Sequence, residues 1–398
     1  MNKRIRVVQM VYTFDVEVGG GGLSRFALEL GQKLDPAQFE VSYCSLGYYS
    51  SPAGREQIET LREQGIHAFE ATQQWDETKP LQTLGRALRH MRQTFMVYPI
   101  DILHSHSEYT DVAAILLKLI GKAPLILRTV HYGYRYEWNR KPIRRALLTN
   151  FSYPIVYDLE IGINQANTSR LNGRWVSKLL RRRAINVYNA IALDRFENVY
   201  VDKSGKKSSL GIPLNAPVIG SVGRLADQKG YCFLIDAALL VLKKHPDLYF
   251  LLVGDGPLTE DHKAQAHHLG IDSHVIFAGP RTDVEELLRI MDVFVSSSLW
   301  EGLPTVILEA MISRIPIIAT DIPGTNELIH HDVNGWLVPP ADPYKLAEAI
   351  DLFLCNPDLG QSFVPNAAKT VESFTIDSIA RTYERLYCQL YRKKHSGG

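Results

Sequence analysis

Apolar residues in this chain fall into two alternating kinds of run. Short stretches such as Ile5-Arg6-Val7-Val8, Phe39-Glu40-Val41-Ser42-Tyr43 and Pro124-Leu125-Ile126-Leu127 are rich in strand-forming side chains. Between them lie longer segments, such as Leu23 to Leu34, whose apolar positions recur at helical spacing. The alternation predicts α/β architecture with parallel sheets. It occurs twice, from residue 4 to about 190 and again from Pro217-Val218-Ile219-Gly220-Ser221-Val222 to about 354. Two doubly wound, Rossmann-like domains are the fold this predicts.

Between the two halves, Asn198 to Asn215 is rich in Lys, Ser, Gly and Asp and reads as an exposed linker. A boundary near residue 205 is expected, giving domains of residues 1–205 and 206–374. Phe374 to Leu390 places Ile376, Ile379, Ala380, Tyr383, Leu386 and Tyr387 on one helical face. The terminal segment 375–398 is expected to pack back on the first domain. No internal repeat is visible, which sets a solenoid aside.

Composition narrows the partners. The 398 residues are 45% hydrophobic and 22% charged, and 44 Lys plus Arg against 43 Asp plus Glu leave a net charge of +1. Nucleic acid is therefore not an expected partner. The charge is unevenly spread, at +7 over residues 1–200 and −6 over the rest, which suits attraction between the halves or a basic half facing an anionic surface. Cys44, Cys232, Cys355 and Cys388 are too far apart for a disulfide framework or a zinc site. No secretory leader is apparent, and Val112 to Leu127 is broken by Lys118, Lys122 and Pro124, short of the roughly 20 apolar residues that span a bilayer. A cytoplasmic protein is expected.

Four segments carry candidate chemistry. Gly19-Gly20-Gly21-Gly22 opens the helix that begins at Leu23, so it is either a tight turn or a backbone cradle for an anion at a helix N-terminus. Val222 to Gly230 places Arg224 and Lys229 in one loop after a strand. They are either solvated surface charges or a grip for a diphosphate. Leu251-Leu252-Val253-Gly254-Asp255-Gly256-Pro257 is a buried strand ending in a glycine-rich turn. In Ser296 to Met311, Pro304 suits the first turn of a helix, which leaves Glu301 in the preceding loop and Glu309 in the apolar run Val306 to Ala310. An unpaired carboxylate there is costly. Two carboxylates flanking the N–H groups of residues 303–306 could hold the two ends of a nucleotide sugar.

The ordered set of these segments, together with Asp101-Ile102-Leu103-His104-Ser105-His106 and Thr129-Val130-His131, resembles the retaining family 4 glycosyltransferases of GT-B fold, in which two Rossmann-like domains face across a cleft. The resemblance covers nearly the whole chain and is strongest from 217 to 350. It implies that Arg224 and Lys229 bind the donor diphosphate and stabilise it as it leaves. It implies that Glu309 accepts ribose hydroxyls, and that Glu301, Gly302, Leu303, Pro304 and Thr305 orient the sugar and distal phosphate. Gly21 or Gly22 would close on that phosphate, and His131 would contact the sugar near its anomeric centre. His104 and His106, on the preceding strand, read as core residues. Two departures from the family pattern, Ser313-Arg314-Ile315-Pro316 and Asn189-Ala190, are expected to lie away from the chemistry.

The expected activity is transfer of a hexose from a nucleotide diphosphate sugar, with UDP as the carrier, to a hydroxyl acceptor that is lipid-linked or soluble. The expected role lies in surface polysaccharide or glycolipid synthesis. No Asp-x-Asp occurs, so neither a metal nor another cofactor is expected. A sugar-nucleotide epimerase and a non-catalytic nucleotide-sugar-binding partner are the rival readings. Basic clusters at 140–145 and 174–183, the second mixed with Trp175, Leu179 and Leu180, suit peripheral binding to an anionic inner membrane surface; solvated helix faces are the alternative.

Overall fold

The strand-forming runs are continuous apolar stretches because both faces of each sheet are covered. Val7, Met10, Leu103, Leu127 and Ile161 are all fully buried. The computed structural model describes residues 3–15, 21–47, 52–72, 79–131, 146–196 and 199–396. The chain forms two compact units, Met1–Ala190 with Ile376–Gly398, and Ile191–Thr375.

In the first unit the strands are β1 (Ile5–Val11), β2 (Phe39–Ser45), β3 (His67–Glu70), β4 (Ile102–Ser105), β5 (Leu125–Val130), β6 (Leu159–Gly162) and β7 (Ile185–Asn186). They form one parallel sheet in the order β3-β2-β1-β4-β5-β6-β7. Val8, Met10, Leu103 and Ile126 pack on one face against Met91, Phe95, Ala113 and Leu117. Val11, Tyr43 and Ala68 pack on the other against Leu23, Ala27 and Leu61. The second unit holds β8 (Val218–Val222), β9 (Tyr249–Val253), β10 (Val275–Gly279), β11 (Val293–Ser296), β12 (Ile317–Thr320) and β13 (Trp336–Val338). These are ordered β10-β9-β8-β11-β12-β13, also parallel. Leu234, Ile235, Phe250, Leu252 and Ile350 lie in its core.

The division falls at Ala190, ahead of the expected position near 205. The polar stretch after it is not a free linker. Ile191 N–H donates to Phe374 O at 2.9 Å, Arg195 pairs with Glu285, and Lys206 Nζ donates to Asp283 at 2.8 Å. Lys203–Ser209 is a short helix, capped by Asp202 accepting from Gly205 N–H. Composition alone does not show ion pairs made with partners some ninety residues away.

The terminal helix, Ile376–His395, belongs to the first unit and lies beside the helix Gly21–Lys33. It buries Ile376, Ile379, Ala380, Tyr383 and Tyr387, while Leu386 is half-buried. It runs past the expected end at Leu390 through Arg392, Lys393 and Lys394, cations favoured at a helix C-terminus.

Candidate functional site

Each sheet reverses its order of winding once, between β1 and β4 in the first unit and between β8 and β11 in the second. The crevice at the carboxyl ends of the strands at such a switch point is where open α/β sheets take ligands.

In the second unit three loops meet at this edge. Leu225 N–H donates to Asp255 O at 3.0 Å and Gly254 N–H to Gly279 O at 2.8 Å. Gly254 has φ +128°, and a Cβ there would lie 2.1 Å from Gly223 O. Gly230 has φ +60°, and its Cβ would lie 2.3 Å from Ser297 O. These glycines are required by the approach of one loop to the next.

That packing sets Lys229 against Glu301. Lys229 Nζ and Ser298 Oγ donate to Glu301 Oε1 at 2.6 and 2.7 Å, and Gln228 Nε2 donates to Oε2 at 3.0 Å. Glu301 is buried, and its carboxylate is held by these three donors. Arg224 is exposed, and its guanidinium makes no hydrogen bond or ion pair among the described residues. The loop therefore presents one cation already neutralised and one unpaired.

Pro304 is the N-cap of the helix Thr305–Ile312, not a residue of its first turn as its position suggested. Gly302 and Leu303 lead into it, buried, and Thr305 and Val306 head it with N–H groups that have no acceptor within the helix. Glu309 lies on the buried face, with Arg195 Nη1 3.9 Å from its carboxylate. The sequence did not reveal Arg195 because it was counted with the first domain.

The first unit carries Gly21, Gly22 and His131 at its own switch edge. Gly21 is the first residue of the helix Gly21–Lys33, and a Cβ on Gly22 would meet nothing within 4 Å, so no neighbour requires its small size. Gly19, Gly20 and the basic cluster 140–145 lie outside the described residues.

His131 follows β5 and is buried, its Nε2 3.1 Å from His106 Nδ1. His106 Nε2 is 2.8 Å from Gln9 Oε1, and Gln9 Nε2 donates to Tyr387 Oη at 3.0 Å. Tyr387 Oη is 2.7 Å from His104 Nδ1, and His104 Nε2 is 2.8 Å from Thr129 Oγ1. Burial, with the neighbouring His131 adding to it, pushes His104 down to about 3. Burial likewise pushes His131 down to about 3, against an opposing effect of the Asn189 amide, and holds His106 far below the usual imidazole range. All three imidazoles are neutral at physiological pH.

His106, read as a core residue, is thus in contact with His131. Asn189, expected to lie away from the chemistry, stands beside the same ring. Neither position differs in residue type or spacing from ordinary core, so only the fold reveals them. A small cavity opens next to His131, lined among others by Asp111, Arg128, Thr129 and Tyr153. Arg128 is held there by Asp111 at 3.0 Å, with its guanidinium 3.8 Å over the Tyr153 ring.

Elsewhere on the second unit, His245, Asp351 and Cys355 bring ligand atoms within 4.8 Å of one another. The Asp351 carboxylate already pairs with His245 at 2.7 Å and Lys244 at 2.6 Å.

Two parallel sheets with interleaved helices, each reversing its winding once, define the double Rossmann architecture of GT-B enzymes. The Glycosyltransferase Family 4 model matches residues 20–156, and the Glycosyl transferases group 1 model matches residues 202–370. The chain belongs to the family 4 glycosyltransferases of GT-B fold. It is 29% identical over 244 residues to the UDP-Gal:alpha-D-GlcNAc-diphosphoundecaprenol alpha-1,3-galactosyltransferase of Escherichia coli, the match covering 60% of this chain and 62% of that one. It is 28% identical to the putative glycosyltransferase EpsD of Bacillus subtilis, over 75% of this chain and 78% of that one. HepE of Anabaena, solved in complex with UDP and glucose, superposes over 97% of this chain and 100% of its own with a TM-score of 0.79 at 19% identity, a likeness of fold.

Proposed function

We propose that this chain transfers a hexose from a UDP-sugar to a hydroxyl acceptor, with retention at the anomeric carbon and without a metal ion. The observation that carries the reading is the switch edge of the second unit. There an unpaired Arg224, a Lys229–Glu301 pair and the head of the helix Thr305–Ile312 stand together. An unpaired guanidinium and free helix N–H groups suit a diphosphate whose charge grows as it leaves. Glu309 offers a buried acceptor for ribose hydroxyls, and Glu301, oriented by its three donors, offers an acceptor for the sugar. No side chain is assigned as nucleophile. The acceptor hydroxyl attacks from the face the phosphate leaves, and the departing phosphate oxygen takes its proton.

On this reading His131 serves the sugar and Gly21 or Gly22 the distal phosphate. Supporting a lipid-linked acceptor is the E. coli relative, whose name gives a diphosphoundecaprenol-linked sugar. An inner membrane surface and a cytoplasmic location belong to the same reading. Release of free UDP that requires added acceptor tests it. Release without acceptor indicates hydrolysis, conversion of the nucleotide sugar with no release indicates an epimerase, and binding without turnover indicates a non-catalytic partner. Thermal shifts with UDP, GDP and ADP identify the base, since a ligand at 100 times its Kd stabilises by about 2.7 kcal/mol.

A further inference from the structure

Two helices of the second unit bring a nitrogen, an oxygen and a sulfur to one point on its surface. Asp351 and Cys355 lie four residues apart on the helix Pro343–Cys355, so their side chains share a face. The helix Tyr231–Leu242 packs against it through a core that holds Val241, Leu346 and Ile350. His245 follows that helix directly, its N–H still donating to Val241 O at 2.9 Å. Its Nε2 lies 2.7 Å from Asp351 Oδ1, and Cys355 Sγ donates to the same oxygen at 3.7 Å. Lys244 Nζ takes the other oxygen, at 2.6 Å. Hydrogen bonds from Lys244 and His245 hold the Asp351 carboxyl below its ordinary range, so it is ionised at neutral pH and only accepts. Two protons, one from an imidazole and one from a thiol, are therefore directed at a single carboxylate oxygen. A divalent cation can stand in the place of both.

We propose that His245 Nε2, Asp351 Oδ1 and Cys355 Sγ form a zinc-binding site with a fourth position open to water, Lys244 steadying the carboxylate through its second oxygen. Imidazole, thiolate and carboxylate together suit Zn²⁺, whereas Ca²⁺ and Mg²⁺ take oxygen ligands. The three ligand atoms lie within 4.8 Å of one another. Around tetrahedral Zn²⁺ a sulfur and an oxygen ligand stand about 3.6 Å apart, and a nitrogen and an oxygen about 3.4 Å. Sγ and Oδ1 already hold that separation, and the half-buried imidazole has to draw back from Oδ1 by only about 0.7 Å. On binding to neutral imidazole, Zn²⁺ takes the Nε2 lone pair while the ring proton moves to Nδ1. The thiol proton leaves to solvent, so one proton is released per ion bound. Thiolate and carboxylate then cancel the charge of the ion, and Lys244 stays exposed beside them. The ion would tie the two helices together at the end away from Lys229 and Gly230, since the 12 residues of Tyr231–Leu242 advance about 18 Å. Cysteine spacing does not reveal such a site, because it uses one cysteine and a histidine 106 residues from its carboxylate.

Zn²⁺ alone is titrated into the full-length, reduced protein in competition with a chromogenic zinc indicator, and Co²⁺ serves as the spectroscopic probe. One equivalent of Zn²⁺ per chain should bind and raise the melting temperature, and Co²⁺ should give a thiolate-to-metal charge-transfer band in the near ultraviolet. Cys355 is exposed, so Cys355→Ala leaves the core untouched and should abolish that band. Cys355→Ala and His245→Ala should each weaken Zn²⁺ binding by at least about tenfold, a loss that removing a group which merely supports a ligand already gives. A parent protein without the band overturns the proposal, as does a band that persists in Cys355→Ala. Zn²⁺ binding unchanged in Cys355→Ala overturns it too, by marking an adventitious site on other histidines. None of these measurements needs a nucleotide sugar, so their outcome is independent of the transferase reading.

Discussion

Arg224 and Lys229 carry the same charge in the same loop but stand in different surroundings. Arg224 is exposed and unpaired, so Arg224→Ala should leave the melting temperature unchanged. Lys229→Ala removes a donor from buried Glu301 and should cost about 1–3 kcal/mol of stability. On the proposed reading both should lower kcat by about 10²–10³ with a smaller effect on donor affinity, because charge on the leaving diphosphate develops toward the transition state. A raised KM with normal kcat would count against this. Glu309→Ala should instead weaken UDP binding, read by calorimetry. The histidines predict a pH dependence of a definite sign. His104 and His131 sit at about 3, below the ordinary 6.5, so the unfolded chain takes up protons between those values that the folded chain refuses. Stability is therefore full above about pH 6.5 and falls as pH drops toward 3, by about 1.4 kcal/mol per pH unit for each histidine. Denaturant midpoints compared at about pH 7.5 and about pH 5.5 check it. His104→Phe should flatten the dependence, and an equal slope in that variant would refute the assignment.

At the scale of elements, the cluster 174–183 is neither wholly buried nor wholly solvated. Arg174 is buried, donating to Leu171 O and Thr149 O at 2.8 Å and pairing with Glu160. Arg182 donates to Tyr157 O at 2.8 Å. The rest faces out. Leu147, Phe151 and Ile155, four residues apart along one helical stretch, are exposed, and so are Trp175 and Leu179, with Phe151 packed edge-on against Trp175 at 5.6 Å. Lys178, Arg181 and Arg183 surround them, also exposed. An apolar stripe with an indole and a basic border suits an anionic bilayer surface. No helix among the described residues is long and apolar enough to cross one. Binding to vesicles containing anionic lipid should weaken with salt and drop further in Trp175→Ala, whereas equal sedimentation with neutral vesicles would leave a soluble acceptor as the better reading. The strands and the loops after them were legible in the sequence because periodicity and glycine both leave marks there. This stripe was not, since β6 and the helix Gln165–Gly173 separate its two parts in sequence and only two of its five apolar residues fall within the basic cluster.

For the molecule as a whole, chelation by EDTA should leave transfer nearly intact on the proposed mechanism, and loss restored by Mn²⁺ would overturn it. The domain boundary was the least legible feature. The chain passes between the units at Ala190–Ile191 and again at Thr375–Ile376, and the two passages adjoin, with Ile191 bridged to Thr375. The second unit is thus an insertion with its ends held together, and the first is closed by the helix Ile376–His395. Synthesis proceeds from the N-terminus, and domains commonly fold as they emerge. Here the earlier-made unit lacks Tyr383 and Tyr387, and so the partners of Thr129, His104 and Gln9, until the helix Ile376–His395 follows the second unit. A chain ending at Thr375 should show a protease-resistant second unit and a digestible first; resistance of both would refute this order. A nascent chain thus completes its second unit first, and its first unit stays open to degradation until the helix Ile376–His395 has been made.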